Sequence, residues 1–407
     1  MAGAFLVYVS ANSPIPIVGE LRRSVGLSGE NASLFMLPFV TGFTTGSITW
    51  FLVARHRSAR MLLPLALILV AATTIVLVVA PDPSIAGLAR FGAGIATAGF
   101  PAAAQAVITR SAPLRQRGRL LGGFAAAVVT GGVIGQALVG ALADLWSAEM
   151  SLLALCAAAP LLVAGALRVV PAHAGTGAPG IDAGTPGPPI AIGALIRRQW
   201  PTFAITALMF GSYWLVLTEL AAELRGDRFG LSPAAAGALP LLGAAGALTT
   251  LAVGAWTDRV GERRPTVAIV LVGVAALAVM LHPATPLWLF AVAVGTFIAA
   301  YWGALPSCTA EVARRADAGE RQPAMMAFYA AAGVGAILLT GTGTLWPGWT
   351  LACLVSLAAW LASAAIALGW FHHGRPRSRA AAPETGTDRP HAPGGGRLPS
   401  SDSPNGK

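Results

Sequence analysis

Apolar runs of roughly twenty residues recur from one end of the chain almost to the other, separated by short polar breaks. An α-helix needs about that length to cross a hydrocarbon layer ~30 Å thick. In lipid every backbone N–H and C=O must be bonded within its own segment, so such runs become helices. Reading the breaks from charge, Pro and Gly clusters predicts twelve helices, near 2–18, 33–54, 61–80, 85–108, 120–143, 150–170, 201–222, 233–255, 265–281, 286–310, 324–345 and 348–371. The 407 residues are 55% hydrophobic and 11% charged, with a mean hydropathy of +0.69. A soluble domain carries about a quarter charged residues, so an ordinary soluble enzyme is excluded. The expected class is an all-α, multi-pass membrane protein, with the lipid bilayer as its surroundings.

The first run is short for a span and has no basic lead or small-residue cleavage pattern before it, which argues against a removable signal peptide. Either that helix is short or the true start lies upstream. Residues 171–195 are rich in Gly, Pro and Ala and predict a flexible linker, placed over 171–199 between an N-terminal unit, 1–170, and a C-terminal unit, 200–371. Residues 372–407 are polar and rich in Pro and Gly and predict a disordered tail. Cys156, Cys308 and Cys353 each lie in an apolar run without a partner, so no disulfide or metal spacing is present.

Charge placement sets the orientation. With twelve spans, one face collects 22 of the 27 basic residues, among them Arg55, Arg57, Arg60, Arg110, Arg117, Arg197, Arg259, Arg264, Arg314 and those of the tail. The other face has Arg22, Arg23, Arg225 and Arg228, while Arg90 lies within a helix. Basic residues stay on the cytoplasmic side, so both termini are expected there, in the cell membrane. The same distribution over alternate loops argues against nucleic acid as the reason for a formal charge of +10.

The two halves also match each other at an offset of 204 residues. Gly26-Leu27-Ser28 recurs as Gly230-Leu231-Ser232, Gly42 pairs with Gly246, Arg55 with Arg259, Arg60 with Arg264, and Gly131 with Gly335. Duplication predicts two pseudo-symmetric six-helix bundles, with substrate near the midplane between them and rocking of one bundle against the other alternating its exposure.

The loop after the eighth run reads Gly254-Ala-Trp-Thr-Asp258-Arg259-Val-Gly261-Glu-Arg263-Arg264. It resembles the signature loop of the major facilitator superfamily, G-x-x-x-D-R-x-G-x-R-R. Its first-half counterpart keeps Arg55 and Arg60 but has Ala54 in place of the Asp. Leu88-Ala-Arg90-Phe-Gly92-Ala-Gly94 resembles the family's buried-arginine motif, and the resemblance covers the chain to about residue 371. It implies the twelve-helix fold of that superfamily. It also implies that Asp258 faces a helix N-terminus of the opposite bundle, near Arg117 and Gly118, and latches one face closed. Gly254 is expected at a close helix packing, Gly261 at a tight turn, and Arg263 and Arg264 as cytoplasmic anchors. The fifth run, with Gly131, Gly132, Gly135 and Gly140, is a small-residue packing surface. It resembles the glycine motif of the twelve-span drug:proton antiporters, with Gln136 where their Pro stands.

Charged groups inside apolar runs are functional candidates. Arg90 is one, and by resemblance it relays protons or polarises the cavity. Glu219 and Glu223 form an i,i+4 acidic pair in the seventh run. A carboxylate in low dielectric holds a proton more tightly than in water, which suits proton coupling. Asp144 and Glu311, at helix ends, are expected as solvated caps. Phe210, Tyr213, Trp214, Tyr301, Trp302 and Tyr329 are aromatic cavity candidates, suited to flat hydrophobic or cationic molecules. Asn12, Gln105 and Gln136 are the uncharged polar ones. No phosphate-binding loop, metal cluster or nucleophile arrangement appears, so no cofactor and no enzymatic activity are expected. The chain reads as a secondary transporter, monomeric, exporting a small drug-like molecule in exchange for protons. An importer or facilitator of a small metabolite, and a non-transporting sensor or scaffold using the tail, are the alternatives.

Overall fold

The computed structural model describes residues 2–26, 32–53, 57, 59–111, 114–169, 192–261, 263–316 and 321–373. Every anticipated apolar run is helical, and no strand occurs among the described residues. The first half comprises α1 (Ala2–Asn12), α2 (Val18–Ser24), α3 (Ala32–Val53), α4 (Ala59–Val78), α5 (Pro83–Ser111), α6 (Leu114–Leu145), α7 (Ala148–Cys156) and α8 (Ala159–Val169). The second comprises α9 (Ile192–Arg225), α10 (Pro233–Ala238), a 3₁₀ turn (Leu239–Ala244), α11 (Ala245–Val260), α12 (Arg263–Leu281), α13 (Leu287–Arg315), α14 (Arg321–Leu345) and α15 (Trp349–His373). Among the described residues, nine segments are long and apolar enough to span a membrane.

Three anticipated helices are broken, each where proline removes a backbone donor. The first stops at Asn12, ahead of Pro14 and Pro16, and resumes as α2. The sixth divides into α7 and α8 just before Pro160, and the eighth contains the 3₁₀ turn carrying Pro240. At the other extreme, residues 192–199, read as the end of the linker, are the first two turns of α9. Leu195 is buried against the second-half core and Gln199 is buried beside it, while Ala194 and Ile196 are exposed, and that anchoring overrides the flexible composition upstream. The remainder of the linker and the tail beyond His373 lie outside the described residues.

Packing is duplicated along with the sequence. In the first half α5 packs on α3 and α4, and α6 on α1. In the second α13 packs on α11 and α12, and α14 on α9. Gly131 of α6 lies against the backbone of Phe5, and its repeat partner Gly335 of α14 against that of Ala207. Gly26 and Gly230, also repeat partners, both turn with positive φ, +78° and +59°. Crossings this close require the missing Cβ: at Gly42 a side chain would collide with the carbonyl of Phe91. Between the halves α3 meets α14, and α6 meets α10. These are the two seams on which a site between the halves can form.

Candidate functional site

A cavity of about 50 Å³ lies where the halves meet. It is lined by Tyr8, Asn12 and Gly132 from α1 and α6, Phe39 and Phe43 from α3, and Thr97 from α5. Phe210, Tyr213 and Trp214 from α9 and Trp302 from α13 close the other side. Among the described residues no carboxylate lines it. The rings hold one another: Tyr213 stacks on Tyr301 at 4.2 Å, Phe39 tilts against Trp214 at 5.5 Å, and Phe43 meets Phe210 at 6.4 Å across the halves. A drug-sized ligand needs roughly 300 Å³ or more, so this cavity is the closed form of any site that takes one.

Towards the arginine-poor face the halves are tied by polar contacts. Glu219, 3% exposed, accepts a hydrogen bond from the Ser33 hydroxyl at 2.5 Å. Arg22, buried on α2, attracts the same carboxylate. Nearby, Arg225 pairs with both carboxylate oxygens of Glu20 and donates to the carbonyl of Pro16 at 3.1 Å. Partial burial pushes the Glu20 carboxyl up, but the hydrogen bond and charge of Arg225 outweigh it and hold the carboxyl below its ordinary range. At the α6–α10 seam, Asp144 accepts from the backbone N–H of Ala234 at 3.3 Å, and Gly140 and Gly237 let the two backbones touch. A side chain at Gly343 would collide with Ser33, so the α3–α14 seam is equally tight at this end.

Arg90 is 1% exposed on α5. Its guanidinium lies over the rings of Phe39, at 4.4 Å, and Phe35, at 5.7 Å, and donates to the Met36 sulfur at 3.2 Å. Its Nε has no partner.

Of the anticipated cavity residues, Asn12, Phe210, Tyr213, Trp214 and Trp302 line the space, while Tyr301 stands behind Tyr213 as its stacking partner. Gln136 does not line it: the side chain turns back to the carbonyl of Gly132, and its backbone abuts Gly237 in the α6–α10 crossing. Tyr329 is 38% exposed and packs on Phe328 outside the lining. Glu223 does not share the role of Glu219. It pairs with Arg228 at 3.0 Å, where α9 runs out into its loop. Glu311 is no solvated cap: 2% exposed, it is held by Arg314 and Arg315 one turn along the same helix.

In the signature loop, Gly261 ends α11 with φ +79°, its N–H on the carbonyl of Thr257 at 2.9 Å. Gly254 is not at a close crossing. Its Cβ position faces open space, because α11 meets α13 through other positions, Gly246, Thr249, Thr250 and Thr257. Gly135 lies on the backbone of Val9, and Gly132 faces Asn12. Arg259 and Arg264 are exposed, whereas Arg60 and Arg263 are half-buried at the starts of α4 and α12. Arg55 and the side chains of Gln105, Arg117 and Asp258 lie outside the described residues, although α6 and α11, which carry the latch pair, do pack together.

Sequence reasoning missed Tyr8, Phe39, Phe43, Thr97, Ser33 and Glu20. Two signals were available: Tyr8 with Asn12, and Phe39 with Phe43, are i,i+4 pairs on one helix face. For Ser33 and Glu20 no local signal exists, because each is defined by a partner in the other half.

The family model of the Major Facilitator Superfamily matches residues 1–320, and the chain belongs to that superfamily of membrane transporters. It is an integral membrane protein whose family implies a small-molecule substrate. Its fold is similar to two solved structures described as a bacterial homolog to the human lysosomal transporter Spinster, inward-facing and either unoccupied or occupied. They are 16% identical, with TM-scores of 0.68 and 0.69, covering 90% and 91% of this chain and 94% and 95% of theirs. It is also similar to a point mutant of the nucleoside transporter NupG, 13% identical with a TM-score of 0.71, over 91% of this chain and 98% of that one. No curated protein matches it in sequence.

Proposed function

We propose that this protein exports a small amphipathic molecule in exchange for protons, by alternating access between an N-terminal bundle, 1–170, and a C-terminal bundle, 200–371. In this reading it sits in the cell membrane as a monomer with both termini cytoplasmic, and works as the drug:proton antiporters that its fifth run resembles do. The observation that carries it is the Glu219 carboxylate, buried at the junction of the halves and bonded to Ser33 of the other half. A charged acceptor makes that bond strong, and protonation removes the charge. Loading Glu219 with a proton therefore loosens the face it helps to close. Asp258, at the end of α11, latches the arginine-rich face in the alternate state, opposite the start of α6.

The test uses inverted membrane vesicles energised to an acid interior, with a pH-sensitive dye and a panel of lipophilic cations, organic anions and neutral metabolites. Substrate-evoked proton release that Glu219→Gln abolishes is the expected result. Uptake of a panel member without proton movement, in protein inserted normally, overturns coupled export in favour of a facilitator.

A further inference from the structure

The charge balance around the cavity points to what it takes. A guanidinium cannot shed its proton in a protein, so Arg90 brings a permanent positive charge into an apolar interior, at a cost of several kcal/mol unless it is compensated. Its compensation is thin. Two aromatic faces and a thioether, a weak acceptor, attend it, Nε is unpartnered, and no carboxylate among the described residues pairs with it. The Phe39 ring that covers it is also part of the cavity wall. Of the groups that attend the guanidinium, this ring is the one that also lines the cavity.

Thr97 extends the same surface. It lies seven residues further along α5, on the face that carries Arg90 and roughly 10 Å down the helix. Thr97 lines the cavity, and its buried hydroxyl has no hydrogen-bond partner. Asn12, on α1 of the same half, adds an amide to the lining. Among the described residues no carboxylate lines the cavity, so a cation entering here meets a repelling arginine, whereas an anion gains the guanidinium fork, which matches carboxylate and sulfonate geometry.

We propose that Arg90 is the anion-recognition group of the transport site, and that the molecules carried are amphipathic anions: a flat aromatic body bearing one carboxylate, sulfonate or phosphate. The inference rests on the transport reading for its setting but not on proton coupling. It narrows the expectation of a flat hydrophobic or cationic molecule, because the rings take a flat body and the buried fixed charge beside them favours an anionic group on it.

The experiment measures binding to the full-length protein in lipid nanodiscs by calorimetry, with three probes sharing one body: naphthalene-2-sulfonate, naphthalene-2-sulfonamide and 2-naphthyltrimethylammonium. The sulfonate is expected to bind about tenfold or more tightly than the sulfonamide, the scale of a charge-assisted hydrogen bond, with the ammonium weakest. Arg90→Gln should erase that preference while leaving the sulfonamide within about twofold, and Arg90→Lys should retain part of it. If Arg90→Gln does not fold, Arg90→Lys carries the test, with the sulfonate preference reduced severalfold but not abolished. Equal affinities, a preference for the ammonium, an unaltered sulfonate preference in Arg90→Gln, or no binding by any probe each overturns the proposal. Selective sulfonate binding without evoked proton release in vesicles upholds the anion site and overturns coupled export alone.

Discussion

Glu219 and Ser33 stand 186 residues apart in the chain and 2.5 Å apart in space, so either substitution acts on the seam between the halves. Ser33→Ala leaves a buried carboxylate short of a partner, and should cost about 1–3 kcal/mol and lower the melting midpoint by a few degrees. An unchanged midpoint would show that the bond does not hold the seam. The Glu20–Arg225 pair should behave differently with pH. Its carboxyl is held below the ordinary value of 4.5, so the contribution is fully present above that value and fades only as pH falls through the lowered one. Arg23, the other cation beside Glu20, favours the same direction. Glu20→Gln should therefore alter stability or transport by the same factor from about pH 5.5 to 8, as pH-resolved melting would read. An effect that grows across that window would remove the pair as a permanent tie. A carboxylate inside an apolar run was legible in the sequence as a candidate, but its bonding partner was not, since nothing near Ser33 in the chain distinguishes it from any other serine.

At the scale of elements, hydropathy located the helices and proline decided where three of them break. What hydropathy could not assign was which glycines are contacts. Gly335 touches the backbone of Ala207, whereas Gly254, embedded in the more recognisable motif, faces open space. Gly335→Leu should consequently fail to assemble α14 on α9 and lose most folded protein in size-exclusion chromatography, overpacking at a backbone crossing having no flexible neighbour to yield. Gly254→Ala should stay within about 0.5 kcal/mol of the parent by thermal melting. A large loss at Gly254 would mean that it packs closely in another state of the molecule. The linker shows the same limit from the opposite side. Its composition predicts flexibility, yet residues 192–199 are helical because Leu195 finds a core to enter.

For the whole molecule, alternating access requires the α3–α14 seam to part. With Cys156, Cys308 and Cys353 replaced by Ser, a Ser33→Cys, Gly343→Cys pair should oxidise readily, since a side chain at Gly343 meets Ser33 directly. Transport should then stop and return on reduction. Transport that continues with the cross-link in place would rule out opening along this seam.

The sequence by itself determined the membrane class, the positions of the helices, the duplication and the family, because these follow from local hydropathy, from a repeat at constant offset and from a contiguous loop motif. It also singled out Arg90 and Glu219, since a charge in an apolar run is conspicuous without any structure. Only the tertiary structure decided that Glu219 bridges the halves, that no carboxylate among the described residues pairs with Arg90, that Phe39 covers it and also walls the cavity Thr97 lines, and that Gln136 and Tyr329 stand apart. Those are properties of partnership, and the distance between groups that are remote in the chain is set by packing of the whole.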